Sequence, residues 1–189
     1  LHSYLLINGG NGRFEAGRLP SVAQASILNG MIAEDFDGDG NLDLVAGGND
    51  FGTDLAMGKY DALNGLYLKG SGKGSFQPLS ILQSGVYLPG NTKALVKLRG
   101  PGNQLLIAAG ENKGPLKLLE LRASNKLIPV LHNDVSAILK LKNGKTRKTD
   151  LNHGSSFLSQ SGRFVVADKN ISSVIITNSL GVQRTIEVQ

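Results

Sequence analysis

Apolar residues in this chain come in short bursts of Val, Ile and Leu set between glycine-rich turns, and little of it carries a helical period. Residues 27–34 and 42–47 are two such bursts. GLYLKGSGKGSFQPL (65–79) reads as a hairpin with a Gly/Ser/Lys tip, and KLLELRASNKLIPV (117–130) as a shorter hairpin without one. Further on, SAILKLKNGKTRKTDL (136–151) alternates and turns at Asn143-Gly144, a strong hairpin signal. GRFVVAD, SSVIITN and RTIEV follow as three more short strands, with turns at Lys169-Asn170 and at Ser179–Gly181. Short strands joined by tight turns predict an all-β protein.

The pattern repeats. YLLINGGNGRFEAGRLP (4–20) lies over LYLKGSGKGSFQPLSIL (66–82) at an offset of 62 residues, bringing Leu6 onto Leu68, Gly12 onto Gly74 and Phe14 onto Phe76. The same offset lays IAEDFDGDGNLDLVAGGND (32–50) over ALVKLRGPGNQLLIAAGEN (94–112). A period of this size points to a solenoid, an array or a propeller, and four short strands per unit describe a propeller blade. After residue 131 the repeat stops. The expected architecture is therefore the C-terminal blades of a partial, open β-propeller over residues 1–131, the first blade truncated. A small β-sandwich-like module over 132–189 follows, near the lower size limit for an independent core and expected to pack against the repeat part.

Composition narrows the picture in three places. The chain has 189 residues and no cysteine, so disulfides and thiolate metal sites are excluded. No segment approaches the ~18–20 apolar residues of a membrane span. The N-terminus starts mid-strand without methionine or a signal-peptide pattern, which leads us to expect a fragment or processed product. The net charge of +5 is unevenly spread: residues 1–131 carry 12 Lys/Arg against 11 Asp/Glu, and residues 132–189 carry 8 against 4. Much of the excess lies in KLKNGKTRK (140–148), where Lys142, Lys145, Arg147 and Lys148 offer a polyanion surface or a solvated hairpin tip.

Against that background EDFDGDGNLDLVA (34–46) stands out, with four aspartates in nine residues. Asp35, Asp37, Asp39 and Asp43 occupy positions 1, 3, 5 and 9 of a loop, Gly40 position 6, and Asn41 position 7 with its backbone carbonyl. Calcium takes six to eight oxygens in a forgiving geometry, and this spacing supplies them; magnesium prefers a stricter octahedron. An EF-hand is excluded, because position 12 is Ala46 and the flanks read as strands. The aligned KLRGPGNQL (97–105) keeps the turn glycines without the aspartates, so we expect the same turn there without metal.

DFDGDGNLDLVAGGN followed by GLYLKGSGKGSF resembles the FG-GAP/VCBS repeat, the calcium-looped blade of integrin-like β-propellers. GSSFLSQSGRFVVADKNISSVIITNSLGVQRTIEV resembles the ASPIC/UnbV module, which follows such repeats in secreted Bacteroidetes repeat proteins and in an animal cartilage acidic protein. The resemblance implies a calcium loop at Asp35, Asp37, Asp39, Asn41 and Asp43, and an extracytoplasmic interaction scaffold with no settled activity, whether secreted, periplasmic or on the outer-membrane surface.

The residues argue against an enzyme. His2, His132 and His153 are the only histidines, none in a metal-ligand spacing. There is no GxSxG elbow, and Ser155 and Ser156 beside His153 read as a strand start. We expect no catalytic residues. Nucleic acid is disfavoured by the absence of tryptophan and of aromatics interleaved with the basic residues. A protein or glycan partner remains, served by the insert FGTDLAMGKYDALNG (51–65) with Tyr60, Asp61 and Asn64 as polar handles, and Tyr60 and Tyr67 as stacking rings for a sugar. Polyanion binding through the basic hairpin is the alternative, and a part accessory to a larger carbohydrate-processing protein a second one. An unpaired blade edge also predicts edge-to-edge homo-oligomers of the fragment.

Overall fold

The computed structural model describes residues 2–122, 125–156 and 158–188. The chain is all-β, arranged in several antiparallel sheets, none of which closes on itself among the described residues. Ala123, Ser124 and Phe157 lie outside those residues, and with them parts of the expected 117–130 hairpin and of the GSSFLSQS stretch.

The offset of 62 is visible in the strands. β1 (Tyr4–Gly10) and β2 (Arg13–Arg18) form a hairpin on their own. β3 (Leu28–Glu34), β4 (Asp43–Gly48), β5 (Leu66–Gly70) and β6 (Phe76–Leu79) form a four-stranded meander in chain order. β7 (Thr92–Arg99), β8 (Leu105–Glu111) and β9 (Lys117–Glu120) form a three-stranded sheet. β5 begins 62 residues after β1, and β8 62 residues after β4. A glycine at position 30 lets neighbouring sheets touch backbone to backbone: a Cβ there would stand 2.7 Å from the Leu95 nitrogen.

Among the described residues the two arms of the expected 117–130 hairpin do not pair with each other. β9 stays with β8, while β10 (Lys126–Pro129) pairs instead with β13 (Phe164–Ala167). The remaining sheet has the order β12-β11-β14-β15, from β11 (Asp134–Leu141), β12 (Thr146–Asp150), β14 (Ile171–Asn178) and β15 (Gln183–Glu187). The β11–β12 turn falls at Asn143-Gly144 as its pattern predicts, with Gly144 at φ 83°.

The β10–β13 ribbon explains the pairing. Alternate residues of a strand face opposite sides, and here both sides are apolar. Leu127, Phe164 and Val166 enter one core with Ile32, Val45, Leu95 and Ile107 of β3, β4, β7 and β8 and with Phe36 of the β3–β4 loop. Ile128, Val165 and Ala167 enter another with Leu139, Ile171, Val174 and Ile176. A strand with apolar residues on both faces gains most where both are covered, at about 1.5–3 kcal/mol for each large aliphatic side chain buried. The ribbon therefore has one face in each core, and it pairs a strand before residue 131 with one after it.

Candidate metal centre

The acidic loop joins β3 to β4 and ends in the buried strand start at Asp43. Carboxylate oxygens of Asp35, Asp37 and Asp39 lie within 4.8 Å of one another, the one such acidic group among the described residues. Asp35 is buried, while Asp37 and Asp39 are exposed. Backbone amides draw the side chains inward. The Asp39 N–H donates to Asp35 Oδ1 and Asp37 Oδ1, both at 3.1 Å, Gly40 N–H to Asp35 Oδ2 at 2.9 Å, and Asn41 N–H to Asp39 Oδ1 at 2.9 Å. Gly40 sits at φ 93°, a conformation glycine takes without strain.

The structure does not bring Asp43 into this group. Its carboxylate is fully buried and accepts from the Phe36 N–H at 3.2 Å, the Gly70 N–H at 2.9 Å and the Tyr67 hydroxyl at 2.6 Å. Asp43 thus ties the loop to β5. In the aligned copy the same position is Leu105, also buried, so the site belongs to the core. That pairing was available in the sequence and points to a structural role. Asn41 contributes its N–H to Asp39 while its own side chain stands against Gly72.

Protein cations already face the loop. Lys69 on β5 pairs with Asp37 and, at 3.1 Å, with Asp39. Arg147 on β12 reaches back so that Nη1 lies 3.2 Å from Asp35 Oδ2 and Nη2 3.9 Å from Glu34. Glu34 also holds Lys97 at 2.7 Å. The like charges that a lone acidic loop would suffer are offset from within the fold. Burial nevertheless pushes the Asp35 carboxyl above its ordinary range; Arg147 pulls the other way and the nearby Asp168 carboxylate adds to the rise. Burial also opposes ionisation of Asp39, but the Asn41 N–H and Lys69 outweigh it and hold its carboxyl low. The two aspartates hold Lys69 above its ordinary value.

Two residues beyond the loop complete its surroundings. Asp168, 6 % exposed, stands against Gly38, 3.7–3.9 Å from where a Cβ there would lie, and the Asn170 side chain donates to the Gly38 carbonyl. Both follow β13, and no pattern in the sequence linked them to residue 38.

The second turn departs from the expected copy. Gly102 matches Gly40 in positive φ, at 69°, but Gly100 stands at −84° where Gly38 stands at 73°, and Pro101–Asn103 forms a short 3-10 turn. Proline presets this turn, so only half of the loop geometry is shared.

The remaining candidate residues are scattered. Arg147 is drawn inward and does not join Lys142, Lys145 and Lys148 in a basic patch; Lys148 pairs with Asp150 at 3.3 Å. Tyr60, Asp61 and Asn64 are exposed on the insert, whose ends are pinned by the Asp50–Tyr60 backbone bridge and by buried Asn49. The half-buried Tyr67 ring leans on Phe36, centroids 5.9 Å apart, with its hydroxyl on Asp43, so it packs beneath the loop. His132 and His153 come together, ring centroids 4.9 Å apart, which their spacing does not foretell. Ser155 Oγ accepts from the Ser161 hydroxyl at 3.2 Å and from the Ser161 N–H at 3.1 Å.

No protein-family model matches the chain, and no curated protein matches it.

Proposed function

We propose that this chain is a non-catalytic, calcium-stabilised binding scaffold of an extracytoplasmic protein, with a protein or glycan as its partner. On this reading the β1–β2 hairpin, the β3–β6 meander and the β7–β9 sheet are blades of a partial propeller of the FG-GAP/VCBS kind, and the C-terminal strands a sandwich-like module of the ASPIC/UnbV kind. The observation that carries it is the convergence of the Asp35, Asp37 and Asp39 carboxylates on one turn. An all-oxygen, all-carboxylate donor set suits a hard cation. Asp35, Asp37 and Asp39 would hold the ion, and the ion would supply the positive charge that keeps the turn closed. The chain's own part is to orient the carboxylates through the Asp39, Gly40 and Asn41 amides and to anchor the loop through Asp43. On this reading the ion acts as a clamp on the β3–β4 turn and takes no part in a reaction. No helix among the described residues is long and apolar enough to cross a membrane. The exposed β1–β2 hairpin, with Leu6 and Phe14 on its surface, is where edge-to-edge association of copies would fall.

The experiment is thermal melting in calcium, in magnesium and in chelator. A calcium-selective rise in Tm, lost in Asp37→Asn/Asp39→Asn, is the expected result. Indifference of Tm to all three conditions would refute the clamp.

A further inference from the structure

We infer that a cleft beside the acidic loop is a binding site for a carboxylated oligosaccharide. The cleft, about 660 Å³, is walled by the β3–β4 loop, the β7–β8 turn and the C-terminal strands, and lies within the ~300–1,000 Å³ of small-molecule sites. Three lysines reach it from three elements: Lys126 from the start of β10, Lys142 from the β11–β12 turn and Lys169 from the β13–β14 turn. Among the described residues none of the three has an ion-pair partner. Of the two acids on the wall, Asp37 is matched by Lys69, which leaves Asp168 as the one carboxylate opposing three ammonium groups. The surplus attracts an anion.

The neutral groups say which anion. Asn103 and Asn125 line the same cleft, and Asn103 Oδ1 and Asn125 Nδ2 are buried without a hydrogen-bond partner among the described residues. One is an acceptor and the other a donor, and a sugar hydroxyl answers both because it donates and accepts. Half-buried Val188 supplies apolar wall for the C–H face of a pyranose, backed by the core residues Ala167 and Ile171. Among the described residues no aromatic ring lines the cleft, so they supply none of the base stacking on which single-strand nucleic-acid sites depend. Anionic charge, hydroxyls and no stacking together describe a uronate-type saccharide. The inference rests on the glycan half of the proposed function and not on the calcium clamp.

Calorimetric titration of the whole chain with a hexamer of galacturonate, in chelator and again in calcium, tests it. A neutral hexasaccharide and a single-stranded oligonucleotide serve as comparators. The expected result is binding of the uronate in chelator, weakened at least tenfold in Lys142→Glu/Lys169→Glu and by raised salt, with no binding of the neutral sugar. Both lysines are exposed, so the double variant should melt as the wild type does. Asn103→Gly, which removes the side chain and keeps the backbone at its φ of 70°, should weaken the uronate without changing the salt dependence. Absence of uronate binding, an unchanged affinity in the lysine variant, or equal affinity for the oligonucleotide would each overturn the site. Uronate binding by a chain whose Tm ignores calcium would support the cleft while removing the clamp; the reverse would remove the cleft alone.

Discussion

Replacing Arg147 by methionine isolates the ion pair that joins the acidic loop to the C-terminal sheet. The Asp35 side chain is 1 % exposed, and its Oδ2 lies 3.2 Å from the guanidinium. Methionine keeps an apolar stem of similar reach and removes the charge. Stripping one partner from a buried pair costs about 3–5 kcal/mol, because the other charge is left uncompensated. Here Asp35 keeps the Asp39 and Gly40 amides, and Glu34 keeps Lys97, so the lower end applies, about 3 kcal/mol. At about 2–4 °C per kcal/mol for a chain of this length, Tm should fall by about 6–12 °C. Circular-dichroism melts of wild type, Arg147→Met, Asp35→Asn and the double variant make a cycle. In the Asp35→Asn background the arginine keeps only Glu34, 3.9 Å away and already held by Lys97, so its loss should cost at least ~1.5 kcal/mol less, within the range seen for residues in contact. The same loss in both backgrounds would refute the pairing as the source of the effect. If the loop also takes calcium, the ion replaces the missing guanidinium charge and should raise Tm more in Arg147→Met than in wild type.

Two further outcomes follow from other parts of the fold. Asn49, fully buried at φ 79°, donates to the carbonyls of Leu63, Pro89 and Gly90 and accepts from the Leu63 N–H; Asn49→Ala strands these groups and should lower stability by about 3 kcal/mol, read as a lower urea midpoint at unchanged m, whereas a shift under 1 kcal/mol would show that the insert is held otherwise. Asp134 is held below its ordinary carboxyl value of 3.8 by the Arg184 guanidinium, at 2.6 and 2.5 Å, with burial opposing and Arg163 assisting. A lowered folded pKa means that this contribution is present above about pH 3.8 and lost as the pH falls through the folded value. Asp134→Asn should therefore flatten the acid limb of a Tm-against-pH curve below pH 4, and an unchanged slope there would contradict the pairing.

Much of the strand order was legible because it rests on local pattern. The offset of 62 returned in β1/β5 and β4/β8, and the Asn143-Gly144 turn closed where its φ requirement placed it. The candidate site was legible only in part. Alternating aspartates with Gly40 mark a loop whose carboxylates converge, and Asp35, Asp37 and Asp39 do so. Asp43 looked like a fourth member, yet it begins a strand at a core position where its copy is Leu105. There a carboxylate has to find its partners in neighbouring backbone and Tyr67. Asn49 and Asp168 carried no signal in isolation, since a buried polar residue is recognised by its partners and those lie far along the chain.

Periodicity and turn chemistry, which act over a few residues, determined by themselves that this chain is all-β, that it repeats, and that one loop concentrates negative charge. Which strands pair across long separations was decided by the tertiary structure, because Leu127 and Ile128, and all of 164–167, carry apolar side chains on opposite faces and the β10–β13 ribbon sets each face on a core of its own. The same folding carried Arg147 off its basic hairpin and onto Asp35. Charge along the chain is local, but the energy of a buried carboxylate depends on whatever the fold sets beside it, and here that is an arginine 112 residues away.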